Sequence, residues 1–319
     1  MLQLPDSWTW DFWIADTGDE YHLFFLFASK ALHVPDRRHR RASIGHAVST
    51  NLTDWTRLPD ALVRGDAPAF DEVATWTGST VRGDDGRWYL FYTGCNDVPT
   101  HTTQRIGVAV SDDLVTFTKV DDLVIEADPT WYEKSDSGVW FDEAWRDPWV
   151  YRGADEWHML ITARSNAGSA RERGVIGHAT SPDLLDWTVR EPVSTPDGGF
   201  GQLEVPQVEF VDGQWMLLFS CLRSEIASRR HADAGTGGVW AATGESASGP
   251  FDIAGAVQLT DDSRYAGRIV RDRAGDWQFL AFRNLEDGVF VGMLADPVPF
   301  AALVAEARGA PVGVARSGG

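Results

Sequence analysis

SIGHAVSTNLTDWT (43–56), RIGVAVSDDLVTFT (105–118) and VIGHATSPDLLDWT (175–188) spell one pattern three times. An apolar residue precedes Gly, a variable position and Ala; a polar turn, Leu and an aromatic followed by Thr complete it. Ile44, Ile106 and Ile176 lie 62 and 70 residues apart. Weaker copies stand at VWAATGESASGPF (239–251) and VFVGMLADPVPF (289–300), which makes five. Self-similarity at a regular spacing is the signature of a repeat architecture.

Ahead of each copy lies a second aromatic-rich apolar run: YHLFFLFA (21–28), WYLFYTG (88–94), WHMLITAR (157–164), WMLLFSC (215–221) and WQFLAFR (277–283). Gly or Asp turns such as Asp85-Gly86-Arg87 and Asp212-Gly213-Gln214 precede four of them, which is hairpin chemistry. Each unit therefore holds an inner strand, the aromatic strand, the Ile-Gly strand and an outer strand ending at Trp or Phe. Five such units predict an all-β chain, a five-bladed β-propeller in which each blade is a four-stranded antiparallel sheet. A β-sandwich is the alternative. A WD-repeat array, suggested by Asp54-Trp55 and Asp186-Trp187, fails because its period is about 40–45 residues. The expected organisation is one propeller over 1–308 with a flexible C-terminal tail over 309–319.

Composition agrees with short strands and tight turns: 15 Trp, 16 Phe and 6 Tyr accompany 31 Gly and 15 Pro in 319 residues. With 47 Asp and Glu against 28 Lys and Arg, the net charge is −19. That sign excludes tracking a phosphate backbone or docking on anionic lipid, so neither nucleic acid nor membrane is expected as a partner. No apolar run approaches a membrane span, and the start has no secretory pattern, so the expected location is cytoplasmic. Cys95 and Cys221 read as buried small hydrophobes, and no spacing of His, Cys, Asp or Glu suggests a metal or another cofactor. Oligomeric state is open.

In a propeller the innermost strands line one axial funnel, so residues at equal register converge. Counting back from the first aromatic of the second strand, Asp11 precedes Tyr21 by 10, Asp147 precedes Trp157 by 10 and Glu204 precedes Trp215 by 11. Each stands among apolar or aromatic neighbours, where an unpaired charge is costly. Leu203, Val205 and Pro206 offer Glu204 no side-chain charge. The corresponding stretches of units two and five are Trp76-Thr77-Gly78-Ser79 and Tyr265-Ala266-Gly267-Arg268. Carboxylates gathered in an aromatic-walled funnel suit glycoside chemistry: one attacks the anomeric carbon, one protonates the leaving oxygen and one holds hydroxyls. Trp10 and Trp76 are candidate sugar-stacking platforms. Arg146 either clamps substrate hydroxyls or pairs with Asp147 or Asp142. Asp142 and Glu143 are expected on the funnel rim, and His46 and His178 in a structural slot. The basic run Arg37–Arg41 reads as a solvated loop, or as an anion receiver together with Ser228-Arg229-Arg230-His231 if both flank the mouth.

At these residues the chain resembles the fructan-active propellers of glycoside hydrolase families 32 and 68, as a peripheral member. Trp10-Asp11-Phe12-Trp13 is similar to the segment bearing the family 68 nucleophile, and Trp76-Thr77-Gly78-Ser79 to a W-S-G-S stretch. Arg146-Asp147-Pro148 matches the R-D-P motif, and Glu204 with Pro206 resembles the acid/base E-C-P or E-R-P. The W-M-N-D-P-N-G signature is absent, Val205 replaces the motif's Cys or Arg, and the length leaves no room for the C-terminal sandwich usual in family 32. The resemblance implies Asp11 as nucleophile, Asp147 as transition-state stabiliser and Glu204 as acid/base, with Trp10, Trp76, Ser79 and Arg146 binding substrate. It implies a retaining hydrolase or transglycosidase acting on a small β-fructofuranoside or related furanoside, without a cofactor. The alternatives are an inverting arabinofuranosidase-like hydrolase, a glycoside phosphorylase, or a non-catalytic sugar-binding propeller.

Overall fold

A computed structural model describes residues 1–98, 101–230, 235–307 and 309. Five four-stranded antiparallel sheets form a five-bladed β-propeller. Blade I holds β1 (Ser7–Asp16), β2 (Tyr21–Ser29), β3 (Ser43–Ser49) and β4 (Thr56–Leu62). Blade II holds β5 (Ala74–Arg82), β6 (Trp88–Val98), β7 (His101–Ser111) and β8 (Thr118–Ile125), and blade III β9 (Trp145–Arg152), β10 (Trp157–Arg164), β11 (Gly174–Ser181) and β12 (Thr188–Arg190). Blade IV holds β13 (Glu204–Val211), β14 (Gln214–Cys221), β15 (Gly238–Gly244) and β16 (Val257–Gln258). Blade V holds β17 (Arg264–Arg271), β18 (Trp277–Glu286), β19 (Val289–Leu294) and β20 (Val298–Pro299), after which a short helix, α1 (Phe300–Ala307), packs beside β18. The aromatic runs are the second strands and the Ile-Gly copies the third. The tail expected over 309–319 lies, apart from Gly309, outside the described residues.

Blade V departs from the others in that β20 pairs with β18, at Phe279↔Val298, instead of with β19. The outer side of β19 is met instead by Leu2, which bridges Leu294 and accepts a hydrogen bond from its N–H at 3.1 Å. The ring thus closes through a contact between the two ends of the repeat. Inner strands abut in the cycle β1, β5, β9, β13, β17 and back to β1. Aromatic rings meet between the sheets, Phe24 of blade I edge-on to Phe117 of blade II and Phe91 of blade II edge-on to Trp187 of blade III. This inter-blade packing accounts for much of the aromatic content.

Every inner strand carries a β-bulge at one register. In blades I and II a single extra residue, Asp11 or Thr77, interrupts the ladder. In blades III, IV and V two residues oppose one: Asp147-Pro148, Val205-Pro206 and Ala266-Gly267. Asp147, Val205 and Ala266 have φ of 57°, 53° and 49°, in the left-handed region that L residues enter at a cost. Each donates its N–H to a hydroxyl on the second strand of the preceding blade, namely Thr93 at 2.9 Å, Thr162 at 3.2 Å and Ser220 at 3.0 Å. Bulges re-aim side chains and cluster at functional sites. Here they stand around the mouth of the axis.

Candidate active site

Asp11, Asp147 and Glu204 lie on β1, β9 and β13 and line one axial cavity of about 240 Å³. Trp10, Trp76, Arg146 and Asp142 line it too. The strand pairing corrects the register count. Glu204 pairs with Ser220 as Trp10 pairs with Leu26 and Arg146 with Thr162, so it precedes the bulge while Asp11 and Asp147 are in it. The third carboxylate reaches the cavity from one position earlier on its strand.

Asp11 accepts a hydrogen bond from Thr77 Oγ1 at 2.7 Å. Burial first, then the negative charge of Asp147, push its carboxyl up to about 7, against the stabilising hydroxyl of Thr77. Asp147 Oδ2 accepts from Thr162 Oγ1 at 2.9 Å and from the Val205 N–H at 3.1 Å. Burial raises its carboxyl, with Arg146 pulling the other way and Glu204 adding to the rise. Glu204, left without a partner by its sequence neighbours, gains two from the fold. Arg146 Nη2 donates to its Oε1 at 2.6 Å and the Tyr265 hydroxyl donates to Oε2.

Arg146 also donates to Asp142 Oδ2 and Gln104 Oε1, both at 3.1 Å, and its Nε lies 3.6 Å from Asp147 Oδ2. Burial alone would weaken its hold on the proton, but Asp142, Glu204 and Asp147 together raise it. The guanidinium is therefore a fixed cation that spaces three carboxylates.

Trp10 and Trp76 flank the ring of His39, which meets each edge-on at 6.1 Å, and Trp76 Nε1 donates to the His39 carbonyl at 2.6 Å. Burial holds His39 neutral, down to about 3. These rings form one aromatic wall. His39 and Arg38 come from the basic run, which is not a solvated loop throughout: Arg38 is buried against Trp10 and Phe290. A short 3₁₀ turn over Pro35–Arg40 delivers both to the cavity. Its counterpart in blade IV does not reach it. Arg230 is buried on the carbonyls of Gly198, Ala254 and Ala256, Arg229 pairs with Glu172, and His231 lies outside the described residues.

Ser79 is not part of the cavity lining. Its hydroxyl accepts the Val150 N–H at 3.0 Å and ties blade II to blade III. Glu143 is likewise no rim residue, being 2% exposed and paired with Arg105 and Lys134. His46 and His178 occupy equivalent places, each hydrogen-bonded at 3.0 Å to a histidine of the adjacent strand, His22 and His158. Burial lowers His46 to about 3 and His178 to about 4. Among the described residues no group of three or more His, Cys, Asp or Glu is arranged to hold a metal ion.

The sequence reading missed Glu225 and gave Thr77 and Tyr265 no role, and it weighed Arg38 and His39 only as part of the basic run; all five line the cavity. Thr77 and Tyr265 stood in the register-matched stretches of units two and five, so the repeat itself was the signal for them. Arg38, His39 and Glu225 lie in inter-strand loops, where the repeat gives no register.

A closed ring of five blades, with three carboxylates and an aromatic wall on its axis, is the arrangement of a carbohydrate-active propeller. Residues 13–289 match the family model described as glycosyl hydrolases family 32 N-terminal domain, and the chain belongs to that family. Among curated relatives, sucrose-6-phosphate hydrolase of Zymomonas mobilis is 31% identical over 172 residues, covering 53% of this chain and 30% of that protein. An insoluble β-fructofuranosidase isoenzyme of Arabidopsis thaliana is 29% identical over 191 residues, covering 58% and 32%. The matches thus span about a third of these relatives' lengths. The inulosucrase of Halalkalicoccus jeotgali, solved with kestose bound, shares the fold at a TM-score of 0.70 and 22% identity, covering 90% of this chain and 79% of that one.

Proposed function

We propose that this protein cleaves a small β-fructofuranoside by a retaining double displacement, with transfer to water or to another sugar. Asp11 attacks the anomeric carbon, Glu204 protonates the leaving oxygen and then activates the acceptor, and Asp147 stabilises the oxocarbenium-like transition state. The observation that carries this reading is the convergence of Asp11, Asp147 and Glu204 in one aromatic-walled cavity of about 240 Å³, a volume suited to a small glycoside. Arg146 and Tyr265 hold Glu204 in place, so its proton is delivered from a fixed position. Trp10 and Trp76 offer ring faces to the C–H side of the sugar. The names of the curated relatives favour sucrose-type substrates, phosphorylated ones among them. Arg38 lines the cavity, its one ion pair among the described residues being with the exposed Asp36 at 3.5 Å, and it is the residue to hold an anionic substituent. Action in the cytoplasm fits two buried free thiols, Cys95 and Cys221.

The test is the anomeric configuration of the first product, followed by NMR with sucrose, short fructans and aryl arabinofuranosides. Retention on a fructofuranoside is expected. Inversion would replace the double displacement by a single one, and a preference for the arabinofuranoside would change the substrate class. Failure to turn over any furanoside, with binding intact, would make this a sugar-binding propeller.

A further inference from the structure

The funnel does not end at its own rim. A second, open cavity of about 510 Å³ adjoins it, lined by Val139, Trp140, Phe141, Arg171, Leu222 and Glu225 among others, and Phe141, Leu222 and Glu225 line both spaces. Its outer rim is apolar and uncovered: Phe141 is 66% exposed, Leu222 42% and Val139 37%. Exposed apolar side chains grouped beside a polar site mark a binding surface. They come from two loops, the one preceding β9 and the 3₁₀ turn after β14.

We propose that this groove is the leaving-group site of the reaction proposed above, and that it selects fructofuranosides whose leaving group has an aromatic or otherwise apolar face. The placement follows from the chemistry. A general acid must touch the leaving oxygen, so the leaving group lies on the Glu204 side of the funnel. The groove opens on that side, since Glu225 follows β14 of the same blade, lines both cavities and feels the charge of Glu204. The funnel takes the glycosyl ring against Trp10 and Trp76, and the adjoining groove takes what departs.

Glu225 at the junction would oppose an apolar guest if it were charged. It is 5% exposed, its Oε2 has no hydrogen-bond partner among the described residues, and its backbone carbonyl is fixed by the Gly201 N–H at 2.7 Å. Burial first and then the charge of Glu204 push its carboxyl up to about 8, so it is mostly protonated at neutral pH. Leu222, Val139 and Phe141 then face the groove with no carboxylate charge beside them, and the one cation of the lining, Arg171, is turned onto the Ser224 carbonyl and the Trp140 ring.

Benzyl and methyl β-fructofuranoside test this, because their leaving alcohols have similar acidity and differ in the ring alone. The wild type should show kcat/KM about tenfold higher for the benzyl compound, the scale of a ring leaving water for an apolar surface. Phe141→Ser and Leu222→Ser should each bring that ratio down severalfold toward unity, and both positions are exposed enough for the fold to persist. Turnover of both compounds at equal rates, or a benzyl preference that neither substitution reduces, would overturn the groove assignment while leaving the fructofuranosidase reading intact. A groove built for a sugar would show the same flat ratio together with a strong preference for sucrose. No turnover of either compound or of sucrose would overturn the reading beneath it, and this inference with it.

Discussion

In the mechanism proposed above Asp11 is the nucleophile, and with its carboxyl at about 7 its ionisation is expected to limit activity in mild acid. Attack requires the carboxylate, so kcat/KM, which reports the free enzyme, should rise with pH to an acid limb near 7. Thr77 donates to the charged form, and Thr77→Val should move that limb upward by roughly one unit, the equivalent of about 1.4 kcal/mol. An unmoved limb would show that another group sets it. The same ionisation is linked to stability. The folded state holds this proton up to about 7 while the unfolded chain releases it near 3.8, so stability is lost as pH rises through that window and is level above it. Asp11→Asn has no such charge to bury. It should abolish turnover and melt higher than the wild type above pH 7, by up to about 4 kcal/mol, with the difference closing towards pH 4. Thermal melts across pH 4–8 measure this. At the alkaline end, ionisation of Glu225 near 8 places a further charge beside Glu204. Glu225→Gln, which stays neutral, should extend activity on the benzyl fructoside above pH 8, and an unchanged alkaline limb would assign that limb elsewhere.

At the scale of the strand, the bulges explain how carboxylates held in a sheet come to face a funnel. In blades III to V each left-handed bulge residue gives its N–H to a hydroxyl of the blade before it, Thr93, Thr162 or Ser220, all at the same pairing position. Blades I and V carry Leu26 and Phe282 at that position. The blades that follow them, II and I, have the shorter bulge with no positive φ. Thr93→Val leaves the Asp147 N–H buried and unpaired, which costs about 1–3 kcal/mol. Because Asp147 then loses its fixed orientation, kcat should fall more than KM changes; denaturant melts and steady-state kinetics separate the two effects. Ser79→Ala should likewise cost about 1–3 kcal/mol by orphaning the Val150 N–H, with KM unaltered. The five blades and their strand order were legible because each aromatic strand and each Ile-Gly strand repeats. The bulges were not, since they arise where one blade's hydroxyl meets the next blade's backbone, a contact between units that no single repeat spells out. That is why the counts of 10, 10 and 11 passed as one register, although the extra residue before Trp215 reflects a real step along the strand. The partners of Glu204 were hidden for the same reason: Arg146 and Tyr265 come from the blades on either side.

Across the whole molecule, one residue joins the ring to the chemistry. Arg268, on β17 of blade V and 2% exposed, donates from Nε to the Phe12 carbonyl of blade I at 3.3 Å, and from Nη1 to the Val205 and Pro206 carbonyls of blade IV at 3.3 and 2.5 Å. Its guanidinium lies 5.1 Å from the Trp149 ring of blade III. It therefore touches three other blades and straddles the seam at which the last blade meets the first. Burial draws its proton affinity down to about 10, opposed by Asp147, Asp11 and Glu209, so it remains charged at neutral pH. The one cation thus closes the ring mechanically and offsets the mutual repulsion of the carboxylates on its axis. Arg268→Met keeps the length of the stem and removes both functions. It should cost about 3–5 kcal/mol, the scale for stripping a buried charge from its partners, and should raise the acid limb of kcat/KM above that of the wild type because Asp11 loses a nearby positive charge. Arg268→Lys separates the two effects: a compact ammonium keeps the charge but cannot reach three carbonyls at once. Its pH profile should stay close to that of the wild type while its melting temperature falls with that of Arg268→Met. If both variants keep the wild-type acid limb, the Asp11 carboxyl is set by its immediate neighbours alone, and Arg268 acts only as a clamp across the seam.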